Sequence, residues 1–302
     1  MKNQVKGSLS IVFATIIWGS TFVAQSVGMN YIGPFTFQAA RCLLGCLILL
    51  PIIAVLDRFT HKHDGKTFFS RWCEKKLYIA GLCCGVPLFI ACNLQQLGIV
   101  NTDAGKSAFL TAMYIVFVPI LGVFRRQKPS RWIPVSVLLG VVGLYFLSCV
   151  GVTTIATGDL LLLGCAVAFA VQILCVDFFA SKVDCLRLNF INCLVCAVLS
   201  GVMVVFTESP KWSDIQGAFG SIVYAGFLSM GIAYSLQIVG QKDLPPATAS
   251  LLMSLESVFA VLSGWLVLGE RLSKWETIGC VLVFIAVILS QLPDKKSEKE
   301  AT

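Results

Sequence analysis

The chain has 302 residues, of which 57% are hydrophobic and only 13% are charged. Soluble globular domains carry about 25% charged residues, so this composition excludes an ordinary soluble domain. The formal net charge of +7 arises from short basic islands between long apolar runs, and these islands do not form a nucleic-acid-binding footprint. The composition therefore predicts an integral membrane protein that has the lipid bilayer, and no nucleic acid, as a partner.

Ten apolar runs follow one another along the chain, each of roughly 18–24 residues, long enough to cross about 30 Å of hydrocarbon as a helix. They are continuously apolar, whereas the strands of membrane barrels are about ten residues long and alternate. The sequence thus predicts an all-α integral membrane fold of ten transmembrane helices, the first of them uncleaved. The predicted spans are 8–27, 34–56, 77–99, 104–124, 132–152, 159–180, 188–206, 215–239, 246–268 and 275–292.

The distribution of basic residues predicts the orientation, because cytoplasmic loops of membrane proteins are enriched in Lys and Arg. With a cytoplasmic N-terminus, eighteen of the 23 Lys and Arg residues fall in cytoplasmic segments and four in external ones, while Arg41 lies inside a span. We therefore expect a multi-pass protein, of the plasma membrane, with both termini cytoplasmic.

The thirteen cysteines are an odd number and lie mainly within the apolar runs. We interpret them as small apolar packing residues. The only histidines, His61 and His63, lie in the longest polar loop among lysines, where a solvated loop is the favoured interpretation over a metal site. The sequence predicts neither a metal site nor a cofactor.

The two halves of the chain show weak internal similarity. A shift of 142 residues places Leu94–Gly98 on Leu236–Gly240, and a shift of 151 residues places Cys42-Leu43 on Cys193-Leu194. Each identity is small, but the matches keep their order along the chain. Such internal similarity is typical of transporters built from repeats.

The repeat divides the chain into residues 1–155, with spans 1–5, and residues 156–302, with spans 6–10 and a short cytoplasmic tail. Five is an odd number, so the second repeat must enter the membrane from the opposite side. Inverted repeats place a substrate site near the middle of the membrane, between the halves, and expose it to each side in turn. The sequence therefore predicts two inverted five-helix repeats around a central site.

Four stretches resemble a known family: "IIWGSTFVAQ" in span 1 and Arg41 in span 2, then "TDAGKSAFLTAMYIVFVPILG" in span 4 and "PPATASLLMSLESVFAVLSGWLVLGERLS" in span 9. Together they resemble the EamA family of the drug/metabolite transporter superfamily, over roughly residues 8–292. The resemblance implies a ten-helix carrier of small metabolites, often an exporter of amino acids or related compounds. Ser257 stands where the family commonly has Pro, and Arg125-Arg126-Gln127-Lys128 replaces a Gly-Glu, so the resemblance alone does not imply a kink at Glu256.

Arg41 is a charge within span 2, about 10 Å from the predicted outer edge at about 1.5 Å per residue. One interpretation is an arginine that extends its head group to the outer lipid surface. The favoured interpretation is an inward-facing arginine, because Gln38 lies on the same helix face and polar groups avoid lipid. An inward Arg41 would pair either with a carboxylate of the protein or with an anionic group of a substrate.

Glu256 is the deepest charge, about 16 Å into span 9 and near the middle of the membrane. At that depth a carboxyl group is expected to be protonated or paired. The shift of 142 residues places it on Tyr114, so both halves present one polar group at matching depth. Glu256 is the candidate for proton coupling; a role in helix packing or in pairing with Arg41 is the alternative.

Polar and aromatic side chains recur at helical spacing in several spans. Small residues such as Gly19 and Ser20 favour close helix packing, whereas the larger side chains beside them suit the wall of a central polar cavity. The predicted substrate pathway consists of Trp18, Thr21, Phe22, Gln25, Gln38, Arg41, Asn93, Gln96, Tyr114, Tyr234 and Gln237.

These features predict a secondary transporter that moves a small metabolite by alternating access, and the resemblance implies that it exports an amino acid or related compound. A multidrug or amphiphile exporter of the same superfamily is the alternative. The chain has no P-loop and no soluble stretch for a nucleotide domain, so ATP is not expected to drive it. An intramembrane enzyme is disfavoured because no His lies in any span, and a channel is disfavoured by the inverted pair of halves.

Overall fold

The structure, a computed structural model, describes residues 2–60, 68–100, 102, 104–124, 130–148, 150, 157–268 and 273–292. Several segments singled out above therefore lie outside the described residues: the loop with His61 and His63, residues 125–128, residues 269–272 of "GERLS", and the C-terminal tail.

Every regular element in the described ranges is helical, as the sequence predicts. A π-helical segment, Ala225–Ala233, lies between the eleventh and twelfth helices. The helices are α1 Lys2–Gly28, α2 Pro34–Thr60, α3 Phe68–Trp72, α4 Lys75–Ile99, α5 Ala104–Ala112, α6 Tyr114–Phe124, α7 Ile133–Ser148, α8 Thr157–Phe179, α9 Cys185–Thr207, α10 Trp212–Gly217, α11 Phe219–Tyr224, α12 Tyr234–Gln241, α13 Pro246–Met253, α14 Leu255–Leu268 and α15 Lys274–Ser290.

Eight helical segments are long and apolar enough to cross a membrane: Asn3–Gly28, Pro34–Phe59, Lys75–Ile99, Lys106–Phe124, Thr157–Phe179, Cys185–Thr207, Phe219–Gln241 and Pro246–Ser263. Two of the ten expected spans correspond to shorter helices. α7 has 16 residues and α15 has 17, against about 20 for a full crossing. These two helices pack against each other.

Three of the expected continuous spans are interrupted. The span expected at 215–239 divides at Ala218, between α10 and α11, and then contains the π-helical segment. In the other two, α5 and α6 are separated at Met113, and α13 and α14 at Ser254. At each of these two points the backbone makes a tighter turn, with Val116 N donating to the Met113 carbonyl (3.0 Å) and Ser257 N to the Ser254 carbonyl (3.2 Å). The interruption beside Glu256 thus forms without a proline at position 257, because the backbone there has switched to an i to i+3 hydrogen bond.

The outer surface of the bundle is apolar and much of its interior is polar. Phe13, Leu47 and Val205 are 60%, 65% and 80% exposed, while Gln38, Gln96 and Asn189 are fully buried. This arrangement is typical of a protein whose surface faces lipid and whose buried polar groups bind one another or line a pathway.

α2 and α9 pack antiparallel and are joined at both ends. At the start of α2 the Glu208 carboxylate accepts hydrogen bonds from the backbone N–H groups of Phe35 and Thr36, both 2.9 Å long, and from the Thr36 hydroxyl. A carboxylate there satisfies free N–H groups and complements the helix dipole. At the other end, Arg187 in the first turn of α9 forms an ion pair with Asp57 in the last turns of α2.

Two glycines allow close contacts between further helix pairs. A Cβ atom at Gly98 of α4 would lie 2.5 Å from Leu162 Cγ and 3.2 Å from the Gly158 carbonyl of α8. A Cβ atom at Gly240 of α12 would lie 2.7 Å from the Gly7 carbonyl of α1. Only glycine permits backbones to approach this closely. These contacts, with the α2–α9 pair, enclose the centre of the bundle.

Candidate substrate pocket

A pocket lies in the centre of the bundle and encloses about 480 Å³ of empty space, including its mouth. Side chains from both halves of the chain line it: Trp18, Thr21, Phe22, Gln25, Arg41, Gln95, Tyr114, Phe169, Ile173, Ser229, Tyr234, Gln237, Met253 and Glu256.

Arg41 lies in this pocket and is only 2% exposed, so it does not extend to the outer surface. Its Nε donates a hydrogen bond to Gln38 Oε1 (2.6 Å), and one terminal nitrogen donates to Gln25 Oε1 (2.5 Å). The Gln38 amide nitrogen in turn donates to the thiols of Cys42 and Cys196, both at 3.1 Å. Two amide oxygens and a layer of thiols therefore hold the guanidinium in place.

Glu256 faces the pocket from the first turn of α14, directly after the interruption at Ser254. It is 6% exposed, and its carboxyl accepts a hydrogen bond from the Tyr114 hydroxyl at 2.9 Å. Within the described part of the chain, Glu256 forms no ion pair with Arg41. The pocket thus contains one guanidinium and one carboxyl group that do not bind each other.

Aromatic rings form a second part of the wall. Trp18 packs edge-on against Tyr234 with ring centroids 5.0 Å apart, and Tyr114 contacts Phe169 at 6.4 Å. Beside Trp18, a Cβ atom at Gly19 would lie 2.6 Å from Phe259 Cβ, so this glycine lets α14 approach α1. In the "WG" pair, Trp18 therefore places its ring in the pocket, and Gly19 allows α14, the helix that carries Glu256, to pack against α1.

Amide side chains complete the polar lining. Gln237 donates to Gln172 (3.3 Å) and Gln241 (2.9 Å), while its own Oε1 is buried without a hydrogen-bond partner among the described residues. The indole Nε1 of Trp18 is likewise buried without a described partner. A buried donor or acceptor without a partner is costly, so these two atoms are suited to a bound molecule or to water.

Most of the residues predicted for the pathway line this pocket, and three do not. Gln38 lies behind Arg41 and positions it. Asn93 donates to the Ser200 hydroxyl at 3.0 Å, and the Gln96 amide reaches Met29 Sδ at 3.3 Å. These two amides contact residues beside α4 and do not line the pocket. Successive positions on a helix point about 100° apart, so residues that are close in sequence can face different neighbours.

Five lining residues were not expected from the sequence: Gln95, Phe169, Ile173, Ser229 and Met253. A signal for three of them was present in the repeat. The shift of 142 residues places Gln95 on Gln237, and the shift of 151 places Phe169 on Trp18 and Ile173 on Phe22.

The buried cysteines pack among apolar side chains around the pocket and are free thiols in the described ranges. No three His, Cys, Asp or Glu side chains of the described residues come together in a geometry that would hold a metal ion.

The chain is similar to a known protein family and to several known proteins. The EamA-like transporter family matches residues 5–149 and again residues 156–292. An uncharacterized transporter of Archaeoglobus fulgidus is 29% identical over 96% of this chain and 87% of its own length. The threonine/homoserine exporter RhtA of Escherichia coli K12 is 27% identical over 96% of this chain and 92% of its own length. A solved crystal structure superposes with a TM-score of 0.76 at 19% identity, covering 95% of this chain and 97% of that one, which shows the fold.

Proposed function

The chain belongs to the EamA-like transporter family, and on this premise we propose that it is a secondary carrier that exports an amino acid or related small metabolite. Its pocket would be exposed to each side of the membrane in turn. The similarity to a threonine/homoserine exporter supports the substrate class and the direction of transport.

The observation that carries this proposal is that the pocket is lined by residues at equivalent positions in the two halves. A carrier with inverted repeats has its site on the axis that relates them. Four pairs of lining residues are equivalent: Trp18 with Phe169 and Phe22 with Ile173 at a shift of 151, and Gln95 with Gln237 and Tyr114 with Glu256 at a shift of 142.

The helix contacts support the same symmetry. Gly98 approaches Gly158, and Gly240 approaches Gly7. The shift of 142 relates Gly98 to Gly240, and the shift of 151 relates Gly7 to Gly158. The Gly98–Gly158 contact is therefore equivalent to the Gly240–Gly7 contact. α4 ends at the former contact and α1 begins at the latter. With α1 and α4 running in the same direction, as the predicted topology has them, the two copies would lie at opposite ends of the bundle, which supports an inverted repeat.

The junctions between α2 and α9 are also equivalent. The shift of 151 relates Asp57 to Glu208 and Thr36 to Arg187, so each helix ends with a carboxylate that binds the first turn of the other. We therefore propose that residues 1–155 and 156–302 are inverted repeats of five spans each, with both termini cytoplasmic. The two separate family matches support this division.

Glu256 is the proposed proton-coupling group. It is the carboxyl in the lining, it lies beside a helix interruption, and its partner is a neutral tyrosine hydroxyl. A carboxyl group in this setting can gain or lose a proton without breaking an ion pair. Protonation would then bias the carrier toward one of its two states, for which a few kcal/mol suffice.

Transport by purified protein in liposomes tests the coupling. Glu256→Gln is expected to abolish uptake driven by a pH gradient while counterflow exchange continues, because the amide keeps the hydrogen bond to Tyr114 but cannot carry a proton. Tyr114→Phe is the matched control. It removes the hydrogen bond between residues 114 and 256 but keeps the Glu256 carboxyl group, so gradient-driven transport should persist. Undiminished gradient-driven transport by Glu256→Gln would remove the coupling role.

The aromatic part of the wall also suits a multidrug or amphiphile exporter, since Trp18, Phe169 and Tyr234 together offer stacking surfaces. Transport of the lipophilic cation tetraphenylphosphonium, with no transport of amino acids, would favour that alternative. Saturable, counterflow-stimulated uptake distinguishes either carrier from a channel.

A further inference from the structure

We infer that the transported molecule carries a carboxylate, and that Arg41 is the residue that binds it. This inference rests on the proposed carrier function, and it goes further by specifying which group of the substrate is bound and which residue binds it. It follows from the way in which the chain surrounds its buried cations.

Arg187 shows how the chain treats a structural arginine. It is 1% exposed and forms an ion pair with Asp57, while Asp184 lies 3.6 Å away and the rings of Phe68 and Trp72 pack on the guanidinium. Lys106, with 13% of its side chain exposed, is likewise paired with Asp159 at 2.6 Å. Each of these cations has a carboxylate beside it, as burial of a charge requires.

Arg41 is as deeply buried as Arg187 but has no carboxylate partner in the described part of the chain. Its hydrogen bonds go to the neutral amides of Gln25 and Gln38, the ring of Phe37 lies 5.6 Å from its central carbon, and the Cys92 thiol interacts with it. The positive charge therefore faces the pocket without an anion among the described residues to balance it. An anionic group of the substrate would provide that balance.

The two amides also orient Arg41 for this task. A guanidinium has five N–H donors in one plane, and it binds a carboxylate through two parallel hydrogen bonds. Gln38 binds Nε and Gln25 binds one terminal nitrogen, which fixes the plane and leaves donors available. Gln25 lines the pocket beside Arg41, so the substrate is positioned by an arginine whose geometry is set before binding.

The repeat indicates that the charge is not needed for the fold. The position equivalent to Arg41 in the second half is Asn192, a neutral residue that is fully buried in α9. The α2–α9 packing thus accommodates an uncharged side chain at that position. Of the two equivalent residues, the arginine is the one that lines the pocket.

Further lining groups suit the other end of a zwitterion. The Oε1 atom of Gln237 is a buried acceptor without a described partner, and Glu256 is a carboxyl whose described partner is neutral. Both can accept hydrogen bonds from an ammonium group. An α-amino acid, with its carboxylate on Arg41 and its ammonium toward these oxygens, satisfies all three.

Binding to the full-length protein in detergent tests the inference without a transport assay. The probes are L-threonine, L-homoserine and L-phenylalanine, each with the amino alcohol that lacks only the carboxylate, and tetraphenylphosphonium. At least one amino acid should raise the thermal unfolding temperature, while its amino alcohol should bind at least tenfold more weakly. In wild-type protein, the bound amino acid should also slow the modification of Arg41 by phenylglyoxal, mapped by mass spectrometry.

Three variants complete the test. Arg41→Gln should lose the preference for the carboxylate, and Arg41→Lys, which keeps the charge but not the fork of donors, should retain part of it. Arg187→Lys is the matched control, because it alters a buried arginine outside the pocket and should keep the full preference. Equal binding of amino acids and amino alcohols, no binding by any amino acid, or an unchanged preference in Arg41→Gln would overturn the inference.

The same probes in proteoliposomes separate this inference from the proposed carrier function. Binding of an amino acid through Arg41 without any flux would contradict the carrier and leave the carboxylate site intact. Saturable flux of amino alcohols or tetraphenylphosphonium at rates equal to those of amino acids would uphold the carrier and overturn the carboxylate site.

Discussion

Within α1, neighbouring residues of "IIWGSTFVAQ" have different tasks. Trp18, Thr21 and Gln25 line the pocket, Gly19 lies against α14, and Ser20 hydrogen-bonds the Tyr224 hydroxyl at 2.7 Å. The segment thus combines a pocket face with a packing face, which explains why polar and small residues interrupt an apolar run.

Replacing Gly19 by Ala should destabilise the bundle, because the added methyl group would overlap the backbone and Cβ of Phe259. Overpacking of this kind costs about 1–3 kcal/mol. Gly201→Ala in α9 is the matched control, since nothing lies within 4 Å of the point that its methyl group would occupy and alanine favours a helix by up to about 1 kcal/mol. Thermal unfolding in detergent should show a lower midpoint for Gly19→Ala alone; equal midpoints would contradict the close α1–α14 contact.

The residue scale also shows where sequence reasoning stops. The stripe on α1 could be predicted because its polar residues stand alone among apolar ones. On α4 the sequence offers Asn93, Gln95 and Gln96 in close succession, and helical periodicity does not determine which of them faces the pocket. The packing of α4 against α8 and α9 brings Gln95 into the pocket, and its match to Gln237 in the repeat was the one sequence signal that distinguished it.

At the scale of elements, the positions of the helices follow from hydropathy, but their interruptions do not. Met113 and Ser254 change the mean hydropathy of their spans very little, so the breaks at α5–α6 and α13–α14 were not foreseen. Contacts between helices that are distant in the sequence could not be predicted from hydropathy either. Neither Asp57 nor Glu208 was singled out from the sequence, since each looks like an ordinary charge at a helix end until α2 and α9 are placed side by side.

The Asp57–Arg187 pair should contribute strongly to stability. Asp57→Asn leaves a deeply buried guanidinium with Asp184, at 3.6 Å, as its remaining ion-pair partner among the described residues. Loss of one partner of a buried ion pair costs about 3 kcal/mol or more. Asp243→Asn is the control, because Asp243 is an exposed carboxylate and its replacement should change stability by less than about 0.5 kcal/mol. Chemical unfolding in detergent measures both; equal effects would show that the α2–α9 junction does not depend on this ion pair.

At the scale of the whole molecule, the proposed function depends on the relation between the two halves of the chain. Weak matches at two fixed shifts predicted a repeat, and equivalent residues meet in the structure: Tyr114 binds Glu256, and the Cys92 thiol lies 3.6 Å from the Tyr234 hydroxyl, each pair 142 residues apart. The differences within the repeat, Glu256 in place of a tyrosine and Arg41 in place of an asparagine, are the charges that would carry function.

The orientation of equivalent turns tests this relation most directly. Asn30 and Ser181 are exposed in equivalent turns, while Arg58 is exposed in the last turn of α2 and its equivalent, Ser209, is exposed just after α9; each pair is 151 residues apart. Single cysteines at these positions, in a background with the exposed Cys73 and Cys83 changed to Ser, can be labelled by a membrane-impermeant maleimide in intact cells and in inside-out vesicles. We predict labelling of positions 30 and 209 only from outside and of positions 58 and 181 only from the cytoplasmic side. Labelling of two equivalent positions from the same side would contradict an inverted repeat, and with it the central pocket as a site exposed to each side in turn.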